Sequence, residues 1–169
     1  MKPRASWGSG PSSSNCTLRK SRCKSATSSS EPAGAAPYSR AMRVRYALLI
    51  LAVEDVERAR CFYDAAFGWD VGVAVPVYVE YRVLPELGVG VYARDGFAVN
   101  TGAAPACVPH GATTATELYL RVDDLAEAER RLRAAGARLL SPAAPRDWGD
   151  VVAYYADPDG NVVAVAQVS

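Results

Sequence analysis

The residues able to do chemistry are few. The chain holds one histidine, His110, in a Pro-His-Gly turn near Cys107, with no second histidine to join it as a metal ligand or proton relay. It reads as an exposed loop residue. The four cysteines, Cys16, Cys23, Cys61 and Cys107, form no C-x-x-C pair and no disulfide framework. Isolated thiols of this kind fit a cytoplasmic setting. The richest cluster is the run Glu117-Leu118-Tyr119-Leu120-Arg121-Val122. As a strand it turns Leu118, Leu120 and Val122 to one face and Glu117, Tyr119 and Arg121 to the other. On that second face Glu117 and Arg121 either contact a polar ligand or pair with each other. A carboxylate alone in a cleft is also a candidate base, which makes Glu117 the one catalytic candidate.

The elements that must position this strand read as one unit written twice. Residues 45–53 form a β-type apolar run, followed by Glu54-Asp55 and a helical stretch with Val56, Ala59, Phe62, Tyr63 and Ala66 at three- and four-residue steps. Asp55 is placed to cap that helix and Gly68 to end it. Three β-prone stretches follow, Trp69–Val75, Val77–Leu84 and Gly88–Arg94. The second copy begins near Thr116: the strand above, Asp123-Asp124, a helix with Leu125, Ala128, Leu132 and Ala135 on one face, then strands at 137–140, 150–156 and 161–168. Asp157-Pro158-Asp159-Gly160-Asn161 joins the last two as a hairpin turn. Module one is therefore 43–94 and module two 116–168, each β-α-β-β-β, with 95–115, rich in Gly, Ala and Pro, as connector.

The motif "Val-Glu-Asp-Val-Glu-Arg-Ala-Arg-Cys-Phe-Tyr-Asp-Ala-Ala-Phe-Gly-Trp", then "Leu-Arg-Val-Asp-Asp-Leu" and "Trp-Gly-Asp…Tyr-Tyr-Ala-Asp-Pro-Asp-Gly-Asn", resembles the vicinal oxygen chelate superfamily of glyoxalase I, bleomycin-resistance proteins and extradiol dioxygenases. The resemblance implies an α+β fold in which two βαβββ modules form an eight-stranded incomplete barrel around a cavity, and it implies a homodimer. Metal-dependent members place His, Glu or Gln on the first and fourth strands of each module. Carried onto this chain, the two first-strand positions are Leu48 and Glu117 and the last-strand position is Ala164. The fourth strand of module one, Gly88-Val89-Gly90-Val91-Tyr92, offers no such donor. One carboxylate does not retain a catalytic ion, so no metal ligands and no cofactor are expected.

In that geometry the cavity-facing positions include Tyr46 and Leu48 on the first strand and Ala164 on the last, with Tyr92, Tyr119, Arg121, Trp148 and Tyr154 around them. The expected cavity is dry and aromatic-edged, suited to a planar or antibiotic-like organic ligand. The expectation is a small-molecule-binding protein without metal. Its alternatives are a glyoxalase, lyase or dioxygenase using a divalent ion, and a metal-free isomerase with Glu117 as base.

Composition bounds the rest. The chain has 169 residues, half of them hydrophobic, 19 basic and 18 acidic, for a net charge of +1. The balance is uneven: residues 1–41 carry seven bases against one acid, net +6, and residues 42–169 carry 12 against 17, net −5. An acidic body does not attract nucleic acid. No run approaches the roughly 20 apolar residues of a membrane span. Residues 1–41 hold eleven of thirteen serines and no apolar period, so they are expected to be a disordered tail, a targeting segment, or an extension upstream of a start at Met42. The body is expected to span 42–169.

Overall fold

The structure, a computed structural model, describes residues 42–168; the tail expected over 1–41 lies outside the described residues. Eleven elements follow one another: β1 (Leu48–Val53), α1 (Val56–Phe67), β2 (Asp70–Val75), β3 (Tyr78–Leu84), β4 (Leu87–Ala93), α2 (Arg94–Thr101), β5 (Glu117–Arg121), α3 (Leu125–Ala134), β6 (Arg138–Pro145), β7 (Asp150–Ala156) and β8 (Val162–Val168). Apart from α2, this is β-α-β-β-β twice. The strands form two four-stranded mixed sheets, β1-β4-β3-β2 and β5-β8-β7-β6, and no closed barrel. In each, the first strand runs parallel to the fourth, Leu48 opposite Gly88 and Tyr119 opposite Ala164. The other pairings are antiparallel.

Caps and apolar spacing explain the helices. Asp55 Oδ1 accepts from Arg58 N at 3.0 Å, and Asp124 Oδ1 accepts from Glu127 N at 3.0 Å. Each such cap contributes about 1 kcal/mol. Gly68, at φ 62°, closes α1 in the left-handed region that favours glycine. The buried stripe of α1 is Val56, Ala59, Phe62, Tyr63 and Ala66, the set its spacing predicts. These side chains meet Leu51, Val53, Val79, Tyr81, Val89 and Val91 from the first sheet, and share one core with Leu125, Leu132, Tyr155, Val163 and Val165. The helix-facing sides of both modules thus bury each other's apolar surface, and α1 touches α3 directly.

Strand parity also follows the sequence. Leu118, Leu120 and Val122 pack on the core. Val152, Ala164 and Ala166, with Tyr119 and Tyr154 against them, form a separate cluster on the other face of the second sheet. Two features depart from expectation. Arg94, read as the end of the fourth strand, and residues 95–101, read as connector, form α2, which Gly102 ends at φ 73°. The sixth strand runs on to Pro145, with register shifts between Leu139 and Ser141 and between Ser141 and Ala144 that let two prolines into an edge strand.

The Asp157–Asn161 turn does more than join β7 to β8. Asp157 accepts four hydrogen bonds: Asp159 N (2.9 Å) and Asn161 N (2.7 Å) on Oδ1, Asn161 Nδ2 and the Tyr63 hydroxyl (both 2.9 Å) on Oδ2. Asp159 Oδ1 accepts from Glu54 N at 2.7 Å and from Arg58 Nη2 at 3.0 Å. The turn of module two is therefore tied to the start of the helix of module one. It also grips the connector: Thr114 N donates to Gly160 O at 2.8 Å, and Thr114 Oγ1 to Asn161 Oδ1 at 3.2 Å. Gly160 sits at φ 84°, where a Cβ would fall 2.9 Å from Val108 Cγ1. Only glycine fits both the backbone and the contact.

Candidate functional site

The side chains singled out in the sequence separate into distinct places. On the second sheet, Tyr119, Arg121, Trp148 and Tyr154 do come together. The Tyr119 hydroxyl donates to Asp150 Oδ2 at 2.7 Å, Arg121 Nη2 donates to the same oxygen at 3.3 Å, and Trp148 Nε1 donates to the Tyr119 oxygen at 3.1 Å. The hydrogen bond from Tyr119, seconded by Arg121, holds the Asp150 carboxyl below the usual carboxylate range. Desolvation and that same bond push the Tyr119 hydroxyl up. Arg146 lies over the Tyr154 ring, 5.1 Å from its centroid. Arg121 thus pairs with Asp150, and the Glu117–Arg121 pair is not formed. These bonds tie Tyr119, Arg121 and Trp148 to Asp150 or to one another, while Arg146 Nε is buried with no hydrogen bond. Ala164 lies fully buried under Tyr119 and Tyr154.

Glu117 is exposed and makes no hydrogen bond or ion pair with any described residue. It lines a cleft of about 270 Å3 with Tyr46 and Tyr119, where β5 comes near the start of β1. Leu48 leans on β4, where a Cβ at Gly88 would strike its Cδ1 at 2.9 Å. Tyr92 belongs to the first sheet: its oxygen accepts from Asn100 Nδ2 at 3.1 Å, and its ring meets those of Tyr78 and Phe97 edge-on. Gly96 is needed beneath it, since a Cβ there would lie 2.6 Å from the ring. Leu48, Glu117 and Ala164 are the side chains at three positions where metal-dependent relatives place donors. Only one of them can coordinate, and no group of three or more His, Cys, Asp or Glu stands together among the described residues. This donor set does not fit a resident divalent ion.

A larger opening lies elsewhere, at the junction of the modules. A cleft of about 470 Å3 is walled by Ile50 and Ala52 of β1, Phe97 of α2, and Cys107 and Val108 of the connector, and it is closed by Thr114, Thr116 and Asn161. Its lining is mainly apolar with a few polar atoms, the usual character of a small-molecule site. Ile50 and Ala52 point here because they alternate with the core residues Leu51 and Val53. Phe97 arrives through α2, which packs on β1 and β4. Arg94, at the start of α2, lines this cleft and also a smaller one of about 220 Å3 beside His110, Arg138 and the Asp157–Gly160 turn. His110 is exposed, as expected.

Sequence reasoning missed Arg94, Phe97 and the cleft-lining connector residues. The available signal was the three-residue step from Arg94 to Phe97 ahead of Gly102. It is weak, because Gly96 and Asn100 interrupt the stretch.

Solved structures share this architecture. A glyoxalase-related enzyme from Fulvimarina pelagi is 26% identical, with a TM-score of 0.64 over 73% of this chain and 87% of that one. A glyoxalase/bleomycin resistance protein/dioxygenase from Nocardioides is 24% identical, with a TM-score of 0.61 over 75% and 85%. A family enzyme of the same description from Burkholderia phytofirmans is 17% identical, with a TM-score of 0.61 over 73% and 98%. No curated protein matches the chain. The family model of the glyoxalase-like domain matches residues 46–168, which takes in both modules and the connector, and the chain belongs to that family, within the vicinal oxygen chelate superfamily.

Proposed function

We propose that this protein binds a small organic molecule, aromatic or antibiotic-like, without a metal ion, in the 470 Å3 cleft between its modules. The observation that carries the reading is the cleft itself: apolar walls from Ile50, Ala52, Phe97 and Val108, with few polar groups to orient a ligand. The missing donors at Leu48 and Ala164 support binding over glyoxalase- or dioxygenase-type metal chemistry. Glu117 stands exposed and unpaired in a different cleft, so the isomerase reading gains no support from its surroundings.

A homodimer and a cytoplasmic location complete the proposal. Supporting the dimer, Val71, Val73 and Val75 of the edge strand β2 are 39%, 43% and 48% exposed, and Val77 beyond it 50%, an apolar edge that invites a partner. Supporting the location, Cys61 and Cys107 are free thiols. No helix among the described residues is long and apolar enough to cross a membrane.

The test uses the neutral fluorophore N-phenyl-1-naphthylamine with EDTA present. Saturable binding that slows alkylation of Cys107, and leaves Cys61 on α1 unaffected, supports the proposal. Binding that needs an added divalent ion, or none at all, overturns it.

A further inference from the structure

Among the described residues, Arg94 is the one charged side chain lining the larger cleft. Its Nη1 donates to the Ala106 carbonyl at 3.3 Å, at the long end for such a bond. Its Nε is buried with no partner. Among the described residues its Nη2 has none and Arg94 forms no ion pair. Of the acids of the neighbouring small cleft, Glu54 pairs with Arg58, Asp157 accepts from Tyr63 and Asn161, and Asp159 Oδ1 accepts from Arg58; Asp159 Oδ2 is buried with no hydrogen bond, and none of the three pairs with Arg94. No Asp or Glu among the described residues lines the larger cleft. A guanidinium fixed at one nitrogen to a carbonyl, beside mainly apolar walls and in no ion pair among the described residues, keeps donors that no described residue accepts from.

We infer that the ligand of this cleft is an organic anion, a carboxylate on an apolar or aromatic body, whose head group meets Arg94. This rests on the binding reading above and narrows it. The apolar body fills the space along Ile50, Ala52 and Phe97, while the carboxylate lies at the Arg94 end. There it takes charge-assisted hydrogen bonds from the donors that the Ala106 contact leaves over. The arrangement makes Arg94 the specificity-determining residue: a neutral analogue of the same shape would leave its donors unsatisfied.

The test uses the full-length protein with N-phenyl-1-naphthylamine as neutral reporter, displaced by 2-naphthoate or by 2-naphthamide, which share a ring system and differ in charge. Wild type should prefer the carboxylate by about tenfold or more. Arg94→Gln should lose the preference, and Arg94→Lys should keep part of it. Equal displacement by the two competitors in wild type, or a preference that survives Arg94→Gln, overturns the assignment and leaves the binding proposal standing. Failure of wild type to bind the reporter overturns the binding proposal itself. Should Arg94→Gln no longer hold the reporter, Arg94→Lys is read instead: a retained preference supports the assignment and its loss overturns it.

Discussion

Replacing Asp157 by alanine should cost this protein a large share of its stability. The side chain accepts four hydrogen bonds, and its donors sit where water has little access: Tyr63 is fully buried and Asn161 is 4% exposed. A buried donor left without an acceptor costs about 1–3 kcal/mol. If water reaches two of the four through the space the carboxylate vacates, the other two set a loss of about 2–6 kcal/mol. Against a total stability of about 5–15 kcal/mol, a loss near 4 kcal/mol is about a quarter or more. With a urea slope of about 2 kcal/mol/M, a loss near 3 kcal/mol lowers the unfolding midpoint by about 1.5 M. Asp157→Asn should cost less, since it keeps one acceptor and the Tyr63 hydroxyl can turn to face the other position. Tyr63→Phe removes a single donor and should cost about 1 kcal/mol. Combined with Tyr63→Phe, Asp157→Ala should be milder by about 1–2 kcal/mol, because the hydroxyl it would strand is already gone. Urea unfolding followed by circular dichroism measures all four variants. A midpoint drop below about 0.3 M for Asp157→Ala, or additive single and double variants, would refute the claim that this turn latches one module to the other.

Three further outcomes are expected. Asp150 has a folded pKa below its unfolded value, so its contribution is present above the ordinary carboxylate range and is lost as pH falls through the folded value. Burial raises Asp157, which contributes in the opposite sense and loses stability as pH rises, so the informative quantity is wild type minus Asp150→Asn. That difference in urea midpoint should shrink toward pH 3, and a difference flat with pH would count against the Tyr119–Asp150 bond. Val73→Lys on the edge strand should yield a monomer by light scattering with unfolding little changed; an unaltered mass above that of one chain would show that the copies meet elsewhere. Ala52→Trp should block the 470 Å3 cleft and weaken N-phenyl-1-naphthylamine binding at least tenfold, while Tyr119→Phe on the second sheet leaves it unchanged. The reverse pattern would move the site to the second sheet.

What the sequence made legible is what periodicity controls. The caps Asp55 and Asp124, the stripe from Val56 to Ala66 and the alternation of β5 each place side chains by local geometry, and each is found in the structure. The duplication implies that the two sheets share one strand order, but the helix crossover fixes only that the first and second strands run the same way, so the first-to-fourth pairing was not legible. The site was harder to read because its parts come from unrelated signals. Ile50 and Ala52 follow from strand parity, but Phe97 and Arg94 depend on a helix that Gly96 weakens, and Val108 depends on a connector with no period at all. Parity put Tyr119 and Arg121 on one face of β5 and Ala164 on the matching face of β8; Tyr154, which joins them, lies on a strand whose parity the sequence left open. It did not show that Asp150, at the first position of β7, sits within reach of both Tyr119 and Arg121 and closes that face into a network of its own.

The latch and the cleft are one construction. Thr114 and Asn161 line the cleft, and each is held by the turn that Asp157 organises: Asn161 through its main chain and side chain, Thr114 through Gly160 O and Asn161 Oδ1. Val108, another wall residue, packs against Gly160 so closely that no Cβ fits between them. The same turn fixes the start of α1 through Glu54 N, and Glu54 directly follows β1, which supplies Ile50 and Ala52. A buried, fully hydrogen-bonded carboxylate is a costly way to stabilise a fold when apolar packing would serve. Here it also sets where the two sides of the cleft stand relative to each other, a task that nondirectional packing performs poorly. Asp157→Asn, which keeps most of the turn, should therefore weaken reporter binding by a larger factor than its modest loss of stability accounts for, measured well below the unfolding midpoint. Binding that stays at the wild-type value in a folded Asp157→Asn protein would separate latch from cleft and sink this account.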